Sequence, residues 1–332
     1  MAFCTINAHN SSRLLNNLNI LIKNVNNLDT RDLRYFEAIA ATEHLGTASS
    51  LVSRSQPAMT SCIKRLESAL GVALVERVGR GITLTPAGRV LADRAKKLRS
   101  SVEEIVREIA DIETGKSGLI KLGVLPTLAK FFLPTICRKI LSDAPKAQIQ
   151  TTIAQNDVLS RLLRDREVDM ILTIASQETG DYVSHTVLED EAVVMASQSH
   201  PLFQEKRITL QSLLNHPWVL APPTVGTRKW IEGVFRKNNL PGPNVQIETN
   251  QILMMPNLIC ETNLLAFTSR LHVTHPEGIA FLREVPLTET TMPRKFDLVY
   301  RAESYLPPVA QHLIELLKVE GPELLARPGG SL

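Results

Sequence analysis

The chain has 332 residues, 44% hydrophobic and 21% charged, with a formal net charge of +3 and a pI near 8.7, the balance of an ordinary folded protein with room for two cores. Its four cysteines, Cys4, Cys62, Cys137 and Cys260, lie far apart with no CxxC or Cys/His spacing; this excludes a metal motif and leaves buried thiols in a reducing, cytoplasmic setting as the expectation. No apolar run approaches the ~18 residues that span a bilayer, so no membrane partner is expected.

The first stretch, 1–29, is asparagine-rich, and Asn16, Asn17 and Asn19 interrupt its apolar pieces, so it lacks the continuous apolar segment of a secretory signal. It reads as a flexible extension with one short amphipathic turn around Leu14 to Ile22. TRDLRYFEAIAA (30–41) then has the pattern of a capped helix that turns Leu33, Phe36 and Ile39 or Ala40 inward. GTASSLV (46–52) is a second, short helix whose Ala48 and Ser49 allow close approach, and SRS (53–55) is a tight connection.

A third helix has its start fixed by chemistry. Ser55 is the N-cap, Gln56 the first helical residue and Pro57 the second, where the missing N–H has no intrahelical partner to lose. Met59, Ile63, Leu66 and Leu70 form its apolar stripe, Gln56, Thr60, Ser61 and Lys64 lie mostly opposite, and Gly71 closes it as a left-handed cap. Three helices with a short turn between the last two have the pattern of a helix-turn-helix, whose last helix enters the DNA major groove. Gln56, Thr60 and Ser61 would then meet base edges, with lysine or arginine on guanine or phosphate.

VGRGITLTPAG (78–88) reads as a β-wing, with a tight turn at Gly79 and Gly81 and with Arg77 and Arg80 directed at the DNA backbone or minor groove. The run Gly79-Arg80-Gly81 is followed by a strand and is not GxGxxG, which excludes a phosphate loop. Residues 31–90 carry eight Lys/Arg against five Asp/Glu, an excess that ordinary surface charges would also give.

From 87 to 113, Leu91, Ala95, Leu98, Val102, Ile105, Ile109 and Ile112 recur at alternating intervals of four and three, with charged residues between them. This is a coiled-coil seam of about three heptads and predicts pairing with a second chain, the alternative being a helix packed on its own domain. After the linker-like TGKSG (114–118), short β runs alternate with helices: LIKLGV (119–124), QIQTTIA (148–154) and MILTIA (170–175). That alternation predicts an α/β module with a parallel sheet.

At this point the chain resembles the LysR-type transcriptional regulators. The likeness is carried by LRYFEAIAATEHL, by ASSLVSRSQPAMTSCIKRLESALGVALVER and by GRGITLTPAGRVL. It continues through LIKLGVLPTL, REVDMILTI, SQSHPLF and ITLQSLLNHPWVLAPP, and so covers 31 to about 318. The resemblance implies an all-α winged helix-turn-helix with a long dimerising linker helix, followed by an α/β effector domain of two subdomains like those of periplasmic binding proteins. It also implies a homotetramer that bends DNA differently when a small coinducer binds, contacts RNA polymerase, activates a nearby promoter and represses its own. Double-stranded DNA, a coinducer and other copies of the chain are the expected partners, with no cofactor and no enzymatic activity. The expected organisation is 1–29 extension, 30–88 DNA-binding domain, 89–117 linker helix, 118–318 effector domain and 319–332 tail; the effector domain splits into 118–190 with 294–318 and, between them, 191–293.

Carried onto this sequence, the DNA contacts are Arg54, Ser55, Gln56, Pro57, Thr60 and Ser61, with Lys64, Arg65, Arg77 and Arg80 around them. Three residues depart from the family's pattern. Arg54 replaces an aliphatic residue and could add a phosphate contact, Ser61 and Cys62 replace longer basic or amide residues, and Val75 replaces phenylalanine.

In doubly wound sheets ligands sit beyond strand ends, at helix starts. Pro126 and Thr127 open one such helix, and Thr224, Gly226 and Thr227 line the start of another; Asn156 follows the second strand and Thr268 lies near a later strand end. A small anionic metabolite is the expected ligand, Arg228 could pair with it, and each threonine is equally placed to cap its helix. The chain has no HExxH, GxSxG or Walker loop to support an enzyme. A solute-binding protein would need an export signal and would have no use for residues 30–113.

Overall fold

The computed structural model describes residues 28–79, 81–114, 118–175 and 181–326. The extension 1–27, Arg80 and residues 327–332 lie outside the described residues. The chain divides into two compact units at Ile105 and Val106.

In the first unit α1 (Thr30–Thr42) starts where the Asp29 carboxylate accepts the Arg31 N–H at 2.8 Å. α2 (Leu45–Leu51) is capped by His44, whose Nδ1 accepts the Thr47 N–H. α3 (Gln56–Leu70) has the read signals in place: Ser55 accepts from the Ala58 N–H, Pro57 sits in the first turn, and Gly71 ends the helix at φ 70°. Its buried Met59, Cys62, Ile63 and Leu66 pack on Phe36 and Ile39 of α1 and Ala48 of α2.

A hairpin follows, β1 (Val75–Val78) against β2 (Gly81–Leu84), with Val75 opposite Leu84 and Gly79 at φ 60° in its turn. The Ile82 N–H donates to the Glu43 carbonyl at 3.2 Å, which ties the hairpin to the end of α1. α4 (Pro86–Thr114) then begins under Leu74. A Cβ at Gly88 would stand 2.0 Å from the Leu74 carbonyl oxygen, so only glycine permits this approach. Arg99 of α4 donates to Glu37 of α1 at 2.9 Å and to Glu103 at 2.6 Å.

The second unit is built in chain order from β3 (Leu119–Val124), α5 (Pro126–Phe131), α6 (Leu133–Asp143), β4 (Gln148–Ile153), α7 (Asn156–Arg164) and β5 (Met170–Ile174). There follow β6 (Tyr182–Ser197), β7 (Pro217–Leu220), α8 (Gly226–Lys237), β8 (Asn244–Glu248), α9 (Met255–Glu261) and β9 (Leu265–Ser269). α10 (Leu271–Thr274), β10 (Leu282–Glu284), β11 (Met292–Arg301) and α11 (Pro308–Ala326) complete it.

Among the described residues nine strands form one sheet, in the order β4-β3-β5-β11-β6-β9-β7-β8, with β10 paired to β6. The sheet as a whole is mixed, while the three strands read from the sequence, β3, β4 and β5, are parallel as expected. β4, β3 and β5 are parallel, as are β9, β7 and β8, but β6 and β11 run antiparallel between the two groups. The chain leaves the first half along β6 and returns along β11, and an out-and-back path must place the two strands in opposite directions.

Each half has its own apolar core. One gathers Leu122, Leu172 and Leu298 with Leu313 and Leu317 of α11. The other gathers Trp218, Phe235 and Phe267 on one side of the sheet, with Val219, Met255 and Ile259 on the other. α11 continues through Ala326, so the predicted tail from 319 is helix for its first eight residues, 319–326.

Candidate functional site

Two surfaces carry the residues predicted to be functional. The first is the outer face of α3. Gln56, Pro57, Ser61 and Lys64 are exposed and Thr60 is half-buried, its hydroxyl donating to the Gln56 carbonyl at 3.3 Å. The Ser55 hydroxyl is spent as the cap, and Arg77 is exposed on β1. Arg54 is exposed, with its Nε–H on the Tyr35 hydroxyl at 2.9 Å.

One predicted contact, Arg65, is otherwise engaged. Arg65 donates Nε–H and Nη2–H to the two oxygens of Asp32 at 2.7 and 2.6 Å, and that carboxylate is buried on α1. Its guanidinium therefore ties α3 to α1. Cys62 belongs to the core, its Sγ donating to the Asp32 carbonyl at 3.2 Å, and burial pushes the thiol up to about 12. In the linker seam Leu98, Val102, Ile105 and Ile109 are all more than two-fifths exposed, Ala95 is buried and Leu91 is half-buried against the helical core. The side chain of Ile112 lies outside the described residues.

The second surface is a cavity of about 40 Å³ between the two halves of the sheet. It brings together Pro126, Thr127, Thr227 and Thr268 of the predicted set. Thr268 is 4% exposed, and its hydroxyl has no hydrogen-bond partner among the described residues. α5, α7 and α8 begin at this cavity after Leu125, Gln155 and Val225, and none of the three capping residues makes a side-chain cap bond. The starts of the longer two, α7 and α8, bring positive potential to the cavity.

The other predicted residues fall elsewhere. Asn156 accepts the Thr173 hydroxyl on its Oδ1, and its neighbour Gln155 lines the cavity instead. Thr224 is exposed off the cavity, and Gly226 opens α8 without lining it. Arg228 is turned inward, with Nε on Glu232 at 2.5 Å and Nη1 on the Ala221 carbonyl at 3.1 Å, and it does not line the cavity.

Sequence reading missed Arg294, on β11, which lines this cavity and also a groove of about 740 Å³ beside it. Arg294 donates to Asp190 of β6, and both side chains are buried. The only advance signal was its position at the expected return point near Pro293. Among the described residues there is no group of side chains fit to hold a metal, and no helix is long and apolar enough to cross a membrane.

Known families match both units of the chain. Residues 30–89 match the model of the bacterial regulatory helix-turn-helix protein, lysR family, and residues 113–321 match the LysR substrate binding domain. The HTH-type transcriptional activator CmpR of Synechocystis is 31% identical over 67% of this chain and 72% of its own length. The HTH-type transcriptional regulator TdcA of Escherichia coli is 27% identical over 87% of this chain and 92% of its own. A single-substitution variant of full-length OxyR from Pseudomonas aeruginosa superposes with a TM-score of 0.61 at 19% identity, covering 92% of this chain and 99% of that one. Full-length CbnR complexed with its target DNA gives 0.64 at 17% identity, covering 88% and 99%, a likeness of fold. With a regulatory helix-turn-helix in its first unit and a substrate-binding domain in its second, the chain belongs to the LysR family of DNA-binding transcriptional regulators.

Proposed function

We propose that this regulator answers to a small carboxylate held in the cavity between the two sheet halves, and that α3 reads its operator through Gln56, Thr60, Ser61 and Lys64. The chain works in the cytoplasm as a homotetramer paired through the α4 seam, engages RNA polymerase at the promoter and needs no cofactor besides the coinducer.

The observation that carries the effector reading is the Thr268 hydroxyl. A buried hydroxyl without a partner costs roughly 1–3 kcal/mol, and this one lines a cavity at which α7 and α8 start without a side-chain cap. A ligand carboxylate supplies the missing acceptor and meets the positive helix ends. Members of the family are regulators, which sets aside the enzyme reading for the same cavity.

The test is thermal denaturation of the full-length chain with acetate, pyruvate and succinate, each against its amide. At least one acid raises the melting point and its amide does not, because a ligand of the native state stabilises it by mass action. The Thr268→Val variant melts at or slightly above the wild-type temperature and loses the response. If every acid leaves the wild type unmoved, or the variant responds as fully as the wild type, the effector reading falls.

A further inference from the structure

Arg294 stands where the cavity, the neighbouring groove and the two crossing strands meet. It lies directly opposite Asp190 in the antiparallel register of β11 and β6. The pairing is lopsided. Nε–H and Nη2–H both donate to one oxygen of Asp190, Oδ2, at 3.0 and 2.5 Å, and the Ser269 hydroxyl donates to that same oxygen at 2.8 Å. One edge of the guanidinium fork is thereby used. The other edge, Nη1 with the second Nη2 hydrogen, has no hydrogen-bond partner among the described residues, and the side chain lines the cavity. The guanidinium also sits over the Phe296 ring, 5.0 Å from its centroid, and Phe296 lines the same cavity. The plane of the fork is therefore fixed by an aromatic face and a buried carboxylate, with its free edge available to a planar anion. Carboxylates match such an edge bidentately.

We propose that Arg294 is the cationic anchor of the effector, holding a ligand carboxylate on its free edge while Asp190 holds the other. This rests on the reading that an anion fills the cavity, and it adds the residue that recognises the charge. The size is consistent with a short acid: about 40 Å³ accommodates only a few water-sized groups. A second carboxylate on the same guanidinium places two negative charges close together in a site shielded from water. Asp190 and the ligand then compete for Arg294, and because Asp190 belongs to β6 and Arg294 to β11, that competition acts on the strands that join the two halves.

The built-in reporter is Trp230, which stacks on Phe267 with ring centroids 5.5 Å apart and planes 3° from parallel, Phe267 being a cavity residue. Tryptophan fluorescence of the full-length chain is titrated with acetate, pyruvate and succinate, with acetamide as the uncharged control, for wild type, Arg294→Gln, Arg294→Lys and Asp190→Asn. Losing a charge-assisted bond costs roughly 10- to 150-fold in affinity, and this is the expected weakening in Arg294→Gln, with Arg294→Lys between it and wild type. Asp190→Asn binds severalfold more tightly, because the amide still accepts from Arg294 but no longer repels the ligand.

That gain is a change in a direction that a purely structural pair would not produce, and it decides the matter if Arg294→Gln does not fold. A wild type that binds an acid beside an Arg294→Gln variant that matches it within about twofold overturns this proposal alone. An Asp190→Asn variant that binds more weakly than wild type does the same. A wild type that responds to none of the acids overturns both this and the effector reading beneath it.

Discussion

Arg65 offers the sharpest separation of a structural from a DNA-contacting role. Asp32 is 4% exposed, and its two oxygens accept both Arg65 donors, whereas the Arg65 side chain is 55% exposed. The two halves of the pair therefore cost different amounts to remove. Arg65→Ala strands a buried carboxylate. Breaking a fully buried pair costs roughly 3–5 kcal/mol, and water entering from the exposed arginine side brings this nearer about 2–3 kcal/mol. Asp32→Ala returns a half-exposed guanidinium to water and costs about 1–2 kcal/mol.

Urea unfolding followed by circular dichroism measures both variants, with Gln56→Ala as the contrast. Gln56 is exposed at the first turn of α3, so its loss leaves stability within about 0.5 kcal/mol. It removes roughly 1–3 kcal/mol of discrimination between the operator upstream of its own gene and a scrambled duplex in fluorescence anisotropy. The expected order of destabilisation is Arg65→Ala, then Asp32→Ala, then Gln56→Ala. An Arg65→Ala chain with an unmoved midpoint, but with a salt slope of DNA binding lowered by about one, would make Arg65 a phosphate contact and refute the assignment.

Two further expectations follow from burial and exposure. Burial first, then the nearby Lys130 and Arg294 charges, holds the fully buried His272 imidazole down at about 3. A base with a folded value below its unfolded value gains a proton on unfolding, so stability falls as pH drops from about 6.5 towards 3, by about 2 kcal/mol at pH 5. His272→Phe keeps a ring against Phe131 and flattens that limb in urea midpoints taken from pH 7 to 5; an unchanged limb refutes the assignment. In the seam, Ile105 and Ile109 are 54% and 63% exposed, and the double change to aspartate lowers the mass in light scattering towards the 36.8 kDa monomer. An unaltered mass removes α4 from the interface.

What was legible in the sequence was local. The start of α3 follows from Ser55 and Pro57, its end from Gly71 and its buried face from a four-three spacing, all between residues 55 and 71. The strands of the first sheet half were readable for the same reason. Strand order was not, because β11 comes to lie between β5 and β6 by pairing across more than a hundred residues. Nothing in the sequence around Asp32 names its partner, and only the fold brings Arg65, 33 residues away, onto it. Arg228 is the opposite case: the Glu232 that engages it lies four residues on, within reach of a helix-periodicity argument. Thr127, Thr227 and Thr268 were located by their places at strand ends and helix starts, whereas the charge among them, Arg294, came from the return strand and carried no motif.

Three arginine–carboxylate pairs with a buried acid show how geometry, rather than composition, separates scaffolding from reception. Asp169 takes Arg107 on both oxygens at 3.0 and 2.9 Å and adds the Lys121 N–H at 2.8 Å, a fork-on-fork arrangement that satisfies the acid within the protein. Asp32 does the same with Arg65 at the edge of the helical core. Asp190 crowds three donors onto a single oxygen and leaves half of the Arg294 fork unused beside a cavity. Buried ion pairs return little net stability, since desolvation offsets their attraction, so a pair that also wastes donors is poor scaffolding. Its position on the two strands that cross between the cores is what would let the proposed anion act on both halves of the sheet.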